Sequence, residues 1–390
     1  MRKINASFLV LIMFAVFGAI SAYAANNGVI EVHLNGVTLP SDLQPVIQSD
    51  RVYVPLRTIA EALNYNVDYD DTTRTAVISN QNAKLVISLD SLSATLNGTA
   101  VDMPVPAMII NDRIMVPVRF LTESFGCSVN WYDYNGAEEG PRGLVDIYGA
   151  IPTTINGQIS ISSLINNTVT PVGDQDSHTI TSNYAIPQIH GLNNADFEAQ
   201  LNQSFQDDLT AEKQAVTDGG NDAVNSAASG YAYDYSYEGG FTCDSIGSDI
   251  ITITLNGYVF MGGAHGSPIQ TSIVIDNNKS KTLSLHDVLL PGQVSEDAIV
   301  SVINDMAAAN PDDYVLYEDT NTVTADQIFR NEDGTERTNN FYFEGSNLAI
   351  FFQPYEIGPY SSGFITFKIP ADKIADYIQP EYLQLLRKVQ

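Results

Sequence analysis

Leu56, Ile59, Ala60 and Leu63 fall at i, i+3, i+4 and i+7, which predicts one apolar stripe along a short helix. Val118, Leu121 and Phe125 repeat that stripe at a constant offset of 62 residues, as from Arg51 to Arg113. Ahead of the first helix, Val29 to Leu34 alternates toward a turn at Asn35-Gly36, and Val52 to Val54 leads into Pro55. Proline suits a first helical position because its missing N–H would be unpaired there anyway. Asn66 to Tyr69 and Thr75 to Ile78 follow as strands around an Asp70-Asp71 turn. The second copy carries a Gly-rich insertion, Asn135 to Gly143, before Leu144 to Ile147. Each copy therefore reads as ββαββ.

The copies match residue by residue. Arg51-Val-Tyr-Val-Pro-Leu-Arg57-Thr-Ile-Ala-Glu61 returns as Arg113-Ile-Met-Val-Pro-Val-Arg119-Phe-Leu-Thr-Glu123. Leu34-Asn35-Gly36 returns as Leu96-Asn97-Gly98, and Asp50 as Asp112. One register without gaps means a duplicated supersecondary unit. Neither copy repeats a Cys, His or Ser that could act as a catalytic centre. Arg57 and Glu61, like Arg119 and Glu123, lie four apart on the helix. They are read as structural ion pairs, with each guanidinium also holding backbone carbonyls between copies. Arg-before-Glu is the weaker order in an isolated helix, so tertiary contacts are expected to fix it.

Beyond Gly149-Ala-Ile-Pro152-Thr-Thr the pattern changes. Asp196 to Gln214 is predicted as a helix capped by Asn194, Ser295 to Ala309 as a second capped by Ser295, and Ala371 to Ile378 as a third. Strands of period two are predicted at Ile250 to Leu255, Thr271 to Ile275, Phe341 to Phe343, Leu348 to Phe352 and Gly363 to Ile369. The expected class is α+β: a duplicated ββαββ module followed by a second α+β domain with mainly antiparallel sheet. The expected division is residues 25–149, a linker at 150–154, and two subdomains at 155–268 and 269–390.

Arg2 and Lys3, an apolar run from Phe8 to Phe17, and Ala22-Tyr23-Ala24 read as a signal peptide over residues 1–24. No later stretch has the roughly 20 apolar residues of a membrane crossing. No Cys follows the cleavage motif, which argues against a lipid anchor, so a secreted, possibly wall-held protein is expected. There are 46 acidic and 18 basic residues, −28 net, which argues against nucleic acid and anionic lipid as partners. No acidic cluster has the spacing of a calcium loop, and no metal or cofactor is expected. Cys127 and Cys243 form no disulfide framework and no zinc site, although outside the cell they could bridge the two halves; Cys127, at the position of Tyr65 in the first copy, is expected as a buried free thiol.

Three constellations could carry function. Tyr231, Tyr233, Tyr235 and Tyr237 alternate, which puts four phenols on one face of a strand. They are either core beneath a helix or an exposed row that stacks on sugars or anchors a protein, and at a sheet edge the strand could also extend a partner's sheet. Gly262-Gly-Ala-His265-Gly-Ser267 is either a tight turn with His265 bound into the fold, or a loop offering a base and a nucleophile. Tyr355 and Tyr360 follow an apolar strand and could close a pocket, and Glu356 has no evident carboxylate partner for glycoside hydrolysis.

The two Leu-Asn-Gly turns, the Asp-Arg before each Val-Pro-x-Arg, the Glu61 and Glu123 helices and the strands ending at Tyr69 and Trp131 resemble the copper amine oxidase-like N-terminal domain, over about residues 28–149. That module is common in secreted bacterial envelope proteins. His33 is its single histidine here, so a copper site is not expected.

Tyr258 to Gly266, Lys281-Thr-Leu-Ser-Leu285-His-Asp287, and Phe352-Gln-Pro354-Tyr355-Glu356-Ile-Gly-Pro359-Tyr360 resemble a second pattern. It is the extracellular region shared by a lysozyme-sensing anti-sigma-V factor and the front of a peptidoglycan deacetylase, over about residues 155–378. The sequence as read has neither a cytoplasmic segment and membrane helix ahead nor a deacetylase domain behind. The resemblance therefore implies extracellular binding at the cell wall, with no enzyme activity expected. The ligand-binding candidates are Tyr231, Tyr233, Tyr235, Tyr237, His265, Tyr355 and Tyr360. The partner expected is a cell-wall glycan or a basic protein such as lysozyme. A wall hydrolase using His265, and a structural wall or coat component, stand as alternatives.

Overall fold

A computed structural model describes residues 29–133, 142–172, 178–226, 234–263, 265–317 and 322–388. The expected signal peptide, most of the Gly-rich insertion, Tyr231 and Tyr233 lie outside the described residues. The fold is α+β with mainly antiparallel sheets. The described residues divide into two compact units: an N-terminal one, residues 29–153 with Ser160–Ile165, and a C-terminal one, Thr154–Ile159 with the chain from Asn166 onward.

In the N-terminal unit the first copy contributes β1 (Ile30–Leu34), β2 (Val37–Thr38), β3 (Val46–Gln48), β4 (Arg51–Pro55), α1 (Leu56–Ala62), β5 (Asn66–Asp70) and β6 (Thr75–Ser79). An additional strand, β7 (Lys84–Ser88), precedes the second copy. That copy contributes β8 (Ser93–Leu96), β9 (Thr99–Asp102), β10 (Met108–Ile110), β11 (Arg113–Pro117), α2 (Val118–Glu123), β12 (Ser128–Asp133) and β13 (Gly143–Tyr148). Short strands β2, β3, β9 and β10 thus add to the expected ββαββ pattern. Both prolines end their strands and stand one residue ahead of the helix.

Antiparallel pairing of β4 with β11 sets Val54 opposite Val116 and Tyr53 opposite Pro117. Val54 and Val116 are equivalent in the repeat, so a pseudo-two-fold axis runs between them and the two copies meet through the same surface. The outer sheets are shared. Order β12-β13-β1-β2 joins the end of the second copy to the start of the first, with β13 and β1 parallel, and order β5-β6-β7-β8-β9 does the reverse through β7. Neither copy completes a sheet alone, which is why both are needed for one core. Leu56, Ile59, Ala60 and Leu63 are buried in it, with Val118, Leu121 and Cys127.

Four tight turns hold this register. Asn35-Gly36, Asn97-Gly98, Ser49-Asp50 and Asn111-Asp112 all have positive φ at both positions, the geometry that matches strand twist. The fully buried Asn35 amide is saturated. Its Nδ2 donates to Ile151 O at 2.8 Å and Thr153 Oγ1 at 3.2 Å. Its Oδ1 accepts from Gly149 N at 2.9 Å and Ser163 Oγ at 2.6 Å. The Gly149–Thr153 stretch is therefore tied to the first repeated turn. Arg57–Glu61 and Arg119–Glu123 form ion pairs at 3.0 and 3.3 Å, but both are exposed. Among the described residues neither guanidinium reaches a carbonyl of the other copy, a difference from the sequence expectation.

A seven-stranded sheet, most of it in the C-terminal unit, runs in chain order: β14 (Thr153–Asn156), β15 (Ile159–Val172), β16 (His178–His190), β17 (Tyr235–Ile246), β18 (Ile250–Phe260), β19 (Ser267–Asp276) and β20 (Lys281–Thr282). β16 and β17 are parallel, joined by the crossover helix α3 (Ala195–Ser226). Asn194 caps α3, its Oδ1 accepting from Asp196 N at 3.0 Å and Phe197 N at 3.1 Å. After α4 (Leu285–Val288), α5 (Gln293–Ala309) and α6 (Ala325–Phe329) comes a three-stranded sheet, β21 (Phe341–Glu344), β22 (Asn347–Phe352) and β23 (Ile365–Pro370), then α7 (Pro380–Arg387). Ile250 and Val274 share one core with Ile299, Ile303, Phe341, Phe351 and Phe367. Gly292, not Ser295, precedes α5, and Ala371–Ile374 makes only a 3-10 turn where a helix was expected.

Candidate functional site

β18 ends at Phe260 and β19 begins at Ser267, and the loop between them carries His265. Gly262 and Gly263 have φ of 83° and 94°, a conformation that favours glycine. Gly266 is required for a second reason. A Cβ there would stand 2.6 Å from the Tyr258 ring and 2.5 Å from Val259 O. Gly266 N donates to Tyr258 Oη at 2.8 Å, and Gly266 O accepts from Tyr360 Oη at 3.0 Å. His265 Nδ1 lies 2.9 Å from the same carbonyl. A carbonyl can only accept, so Nδ1 carries the proton.

The His265 ring stacks on Tyr360 with centroids 4.0 Å apart and planes at 21°. Tyr355 tilts against Tyr360 at 5.4 Å, and its hydroxyl lies 3.5 Å from His265 Nε2. Three of the sequence candidates thus form one aromatic platform. Burial pushes the Tyr360 phenol up, assisted by Tyr258 and Tyr355, so it stays a donor. Tyr355 is 56% exposed and has φ of +73°, in the left-handed region that bulky residues avoid.

The turn that strains Tyr355 is held by its neighbours. Gln353 N donates to Glu356 Oε2 at 2.8 Å. Arg337 grips the Glu356 carboxylate through Nη1, with Nη2 donating at 3.0 Å, while Nη1 also donates to Gln327 O at 2.8 Å. The Gln353 side chain spans to β19, donating to Gln270 O at 2.7 Å and accepting from Gln270 N at 3.2 Å. That amide occupies the bonds a further strand would make, and composition gave no hint of it. The Arg337–Glu356 pair was equally invisible, because nothing in the spacing links residues on α6–β21 and β22–β23 loops.

The tyrosine row resolves differently. Tyr235 and Tyr237 are buried in β17, an interior strand rather than an edge, so neither an exposed row nor sheet extension applies to them. Tyr237 Oη donates to Glu212 Oε2 of α3 at 2.6 Å, and its ring meets Tyr184 edge-on at 5.3 Å. Burial, then Glu212, pushes the Tyr237 phenol far up. Tyr231 and Tyr233 lie outside the described residues. Both cysteines are buried free thiols, Cys127 pushed up to about 11 by burial. Among the described residues there is no cluster of three or more His, Cys, Asp or Glu suited to a metal, and no helix long and apolar enough to cross a membrane.

Three family profiles match the chain in succession. They are the copper amine oxidase N-terminal domain over residues 33–137, deacetylase PdaC over 174–268, and a protein of unknown function, DUF3298, over 286–372. Comparison with curated proteins gives no match. A member of the DUF3298 family from Bacteroides fragilis is similar at 16% identity, covering 60% of this chain and 100% of that one, with a TM-score of 0.45. A DUF3298 family protein from Pseudomonas aeruginosa is similar at 21% identity, covering 58% and 97%, with a TM-score of 0.41. The chain combines a copper amine oxidase N-terminal-like region with PdaC-like and DUF3298-like regions of cell-envelope-related type.

Proposed function

We propose that this is an exported, non-enzymatic cell-envelope protein that holds a wall component or a protein ligand such as lysozyme on the platform of His265, Tyr355 and Tyr360. The observation that carries this reading is Tyr355: a large aromatic 56% exposed and at φ +73°, in a turn fastened by the bonds of Glu356 to Arg337 and to Gln353 N. Backbone strain persists where surrounding structure enforces it, and it gathers at ligand contacts. An exposed, rigid phenol stacks on a sugar ring or fills a protein pocket at low entropic cost. The net charge of −28 favours encounter with a basic protein, through steering that fades as salt rises.

For a hydrolase, His265 would need an acid to orient it. Its Nδ1 instead faces the Gly266 carbonyl, and Glu356 is committed to Arg337. Both arrangements support gripping over turnover. The test is retention of the full chain and its Tyr355→Ala variant on purified peptidoglycan and on immobilised lysozyme, at low and high salt. Retention of the parent on one of them, lost in the variant, is the expected result. A parent retained on neither refutes the proposal.

A further inference from the structure

Two glycines face each other inside the seven-stranded sheet. Gly239 of β17 pairs with Gly257 of β18, while Tyr184 of β16 flanks Gly239 and Ile269 of β19 flanks Gly257. Paired residues share a face, so the row Tyr184–Gly239–Gly257–Ile269 crosses four strands with no side chain at its two central places. At Gly239 the fit is close, since a Cβ would stand 3.1 Å from Asn256 O. Gly257 is different. Its φ lies outside the left-handed region, and a Cβ there would meet the Tyr237 ring at 3.5 Å, an ordinary contact. Neither backbone nor packing asks for glycine at that position. A glycine weakens a strand interior, and one kept there marks a place where another group comes close.

Over this bare floor, between the sheet and α3, lies a cavity of about 420 Å³. Tyr184 and Tyr237 line it from the sheet, their rings edge-on at 5.3 Å. From α3 come Asp208 and Glu212, four residues apart and so on one helical face. The lining holds no Lys, Arg or His, and among the described residues neither carboxylate is in an ion pair. Glu212 accepts from Tyr237 Oη at 2.6 Å, which fixes its place on the wall. Burial, then Asp207, holds the Asp208 carboxyl above its usual range, the direction an unmatched carboxylate takes. Two like charges repel an anion, and aromatic walls suit both the charge and the methylene stem of an alkyl cation.

We propose that this cavity binds an organic cation, a primary ammonium or guanidinium on an alkyl stem, with its charge at Asp208 and Glu212 and its stem over the glycine floor. None of His265, Tyr355 and Tyr360 lines the cavity, so the site is separate from the platform and stands or falls without it. A free polyamine and the Lys or Arg side chain of a protein share this chemistry.

Titration calorimetry on the full chain at low salt separates them with three probes: spermidine, N-acetyl-lysine amide, and the uncharged N-acetyl-norleucine amide. At least one cation should bind at a single site, about tenfold or more tighter than the norleucine amide. Binding of the lysine amide assigns a protein side chain, and binding of spermidine alone assigns a free polyamine. Gly257→Val fills the floor without changing any charge and should abolish binding. Glu212→Gln should weaken it about tenfold. Asp218→Asn removes the same charge from α3 outside the cavity and should leave it unchanged. Any of four results overturns the assignment: neither cation binds, the norleucine amide binds equally, Gly257→Val binds as the parent does, or Asp218→Asn weakens binding as much as Glu212→Gln. Should Gly257→Val fail to fold, the comparison of Glu212→Gln with Asp218→Asn still decides.

Discussion

The two units handle the same problem, a backbone reversal at positive φ, in opposite ways. In the N-terminal unit the left-handed positions fall mostly to Asn, Asp and Gly, among them Asn35, Gly36, Asp50, Asn97, Asn111 and Asp112, with Ser49 and Arg74 as exceptions. The Asn35 and Asn97 side chains then fasten the neighbouring strand, Asn35 to Gly149 N and Asn97 to Lys84 N. In the C-terminal unit a tyrosine takes the strained position and turns its ring to solvent. One unit follows local preference at most of its repeated turns, Ser49 excepted. The other departs from it with a large aromatic at Tyr355, which is also exposed. A strained residue that also presents a large ring to solvent marks a candidate site, whereas turns built on Asn, Asp and Gly mark a scaffold.

That contrast can be broken by mutation. The largest effect is expected from Asn35→Ala, which strips bonds from Gly149, Ile151, Thr153 and Ser163 at a fully buried position. A loss of about 3–4 kcal/mol in denaturant unfolding is expected. The exposed repeat partner, Asn97→Ala, should lose about 1 kcal/mol. Equal effects would mean that the repeat, not burial, sets the value of this amide.

Arg337→Ala leaves Glu356 unpaired in a partly buried turn and should cost about 3 kcal/mol, with loss of ligand retention because Tyr355 is no longer held. Stability lost with retention intact would separate the strained turn from binding.

His33 tests the N-terminal unit by pH. Burial alone would lower its pKa, but Asp146, opposite it in the β1–β13 pairing, and Glu31 outweigh burial and raise it to about 9. The folded value exceeds the unfolded value of 6.5, so the stabilisation is full below pH 6.5 and is lost as pH rises through about 9. Up to about 3 kcal/mol should disappear across that window, and His33→Gln should flatten the profile. The smallest effect belongs to Arg57→Ala, an exposed helical pair whose loss should cost no more than about 0.5 kcal/mol.

The duplicated half was readable because its signals are local: apolar stripes at helical spacing and Asn-Gly or x-Asp turns at a fixed offset. Its interlocking was not, since β13–β1 pairing joins residues at opposite ends of the unit. In the C-terminal unit the long strands β15 and β16 escaped notice. Their Ser, Thr and Asn content mimics a loop, and only tertiary pairing makes them strands. Tyr235 and Tyr237 lie on a strand as the alternation predicts, but alternation alone could not say that α3 covers them. Three platform residues, His265, Tyr355 and Tyr360, were picked singly from the chain. Their convergence depends on packing β18–β19 against the end of β22, which no spacing in the sequence encodes.

The central claim is that the platform binds without turning its ligand over. The most direct measurement is retention of the full chain on purified peptidoglycan and on immobilised lysozyme, with soluble wall fragments assayed in the supernatant. The account predicts retention on at least one of the two, lost on Tyr355→Ala, and no fragments released by parent or variant. Fragment release that disappears in a folded His265→Ala variant would contradict it.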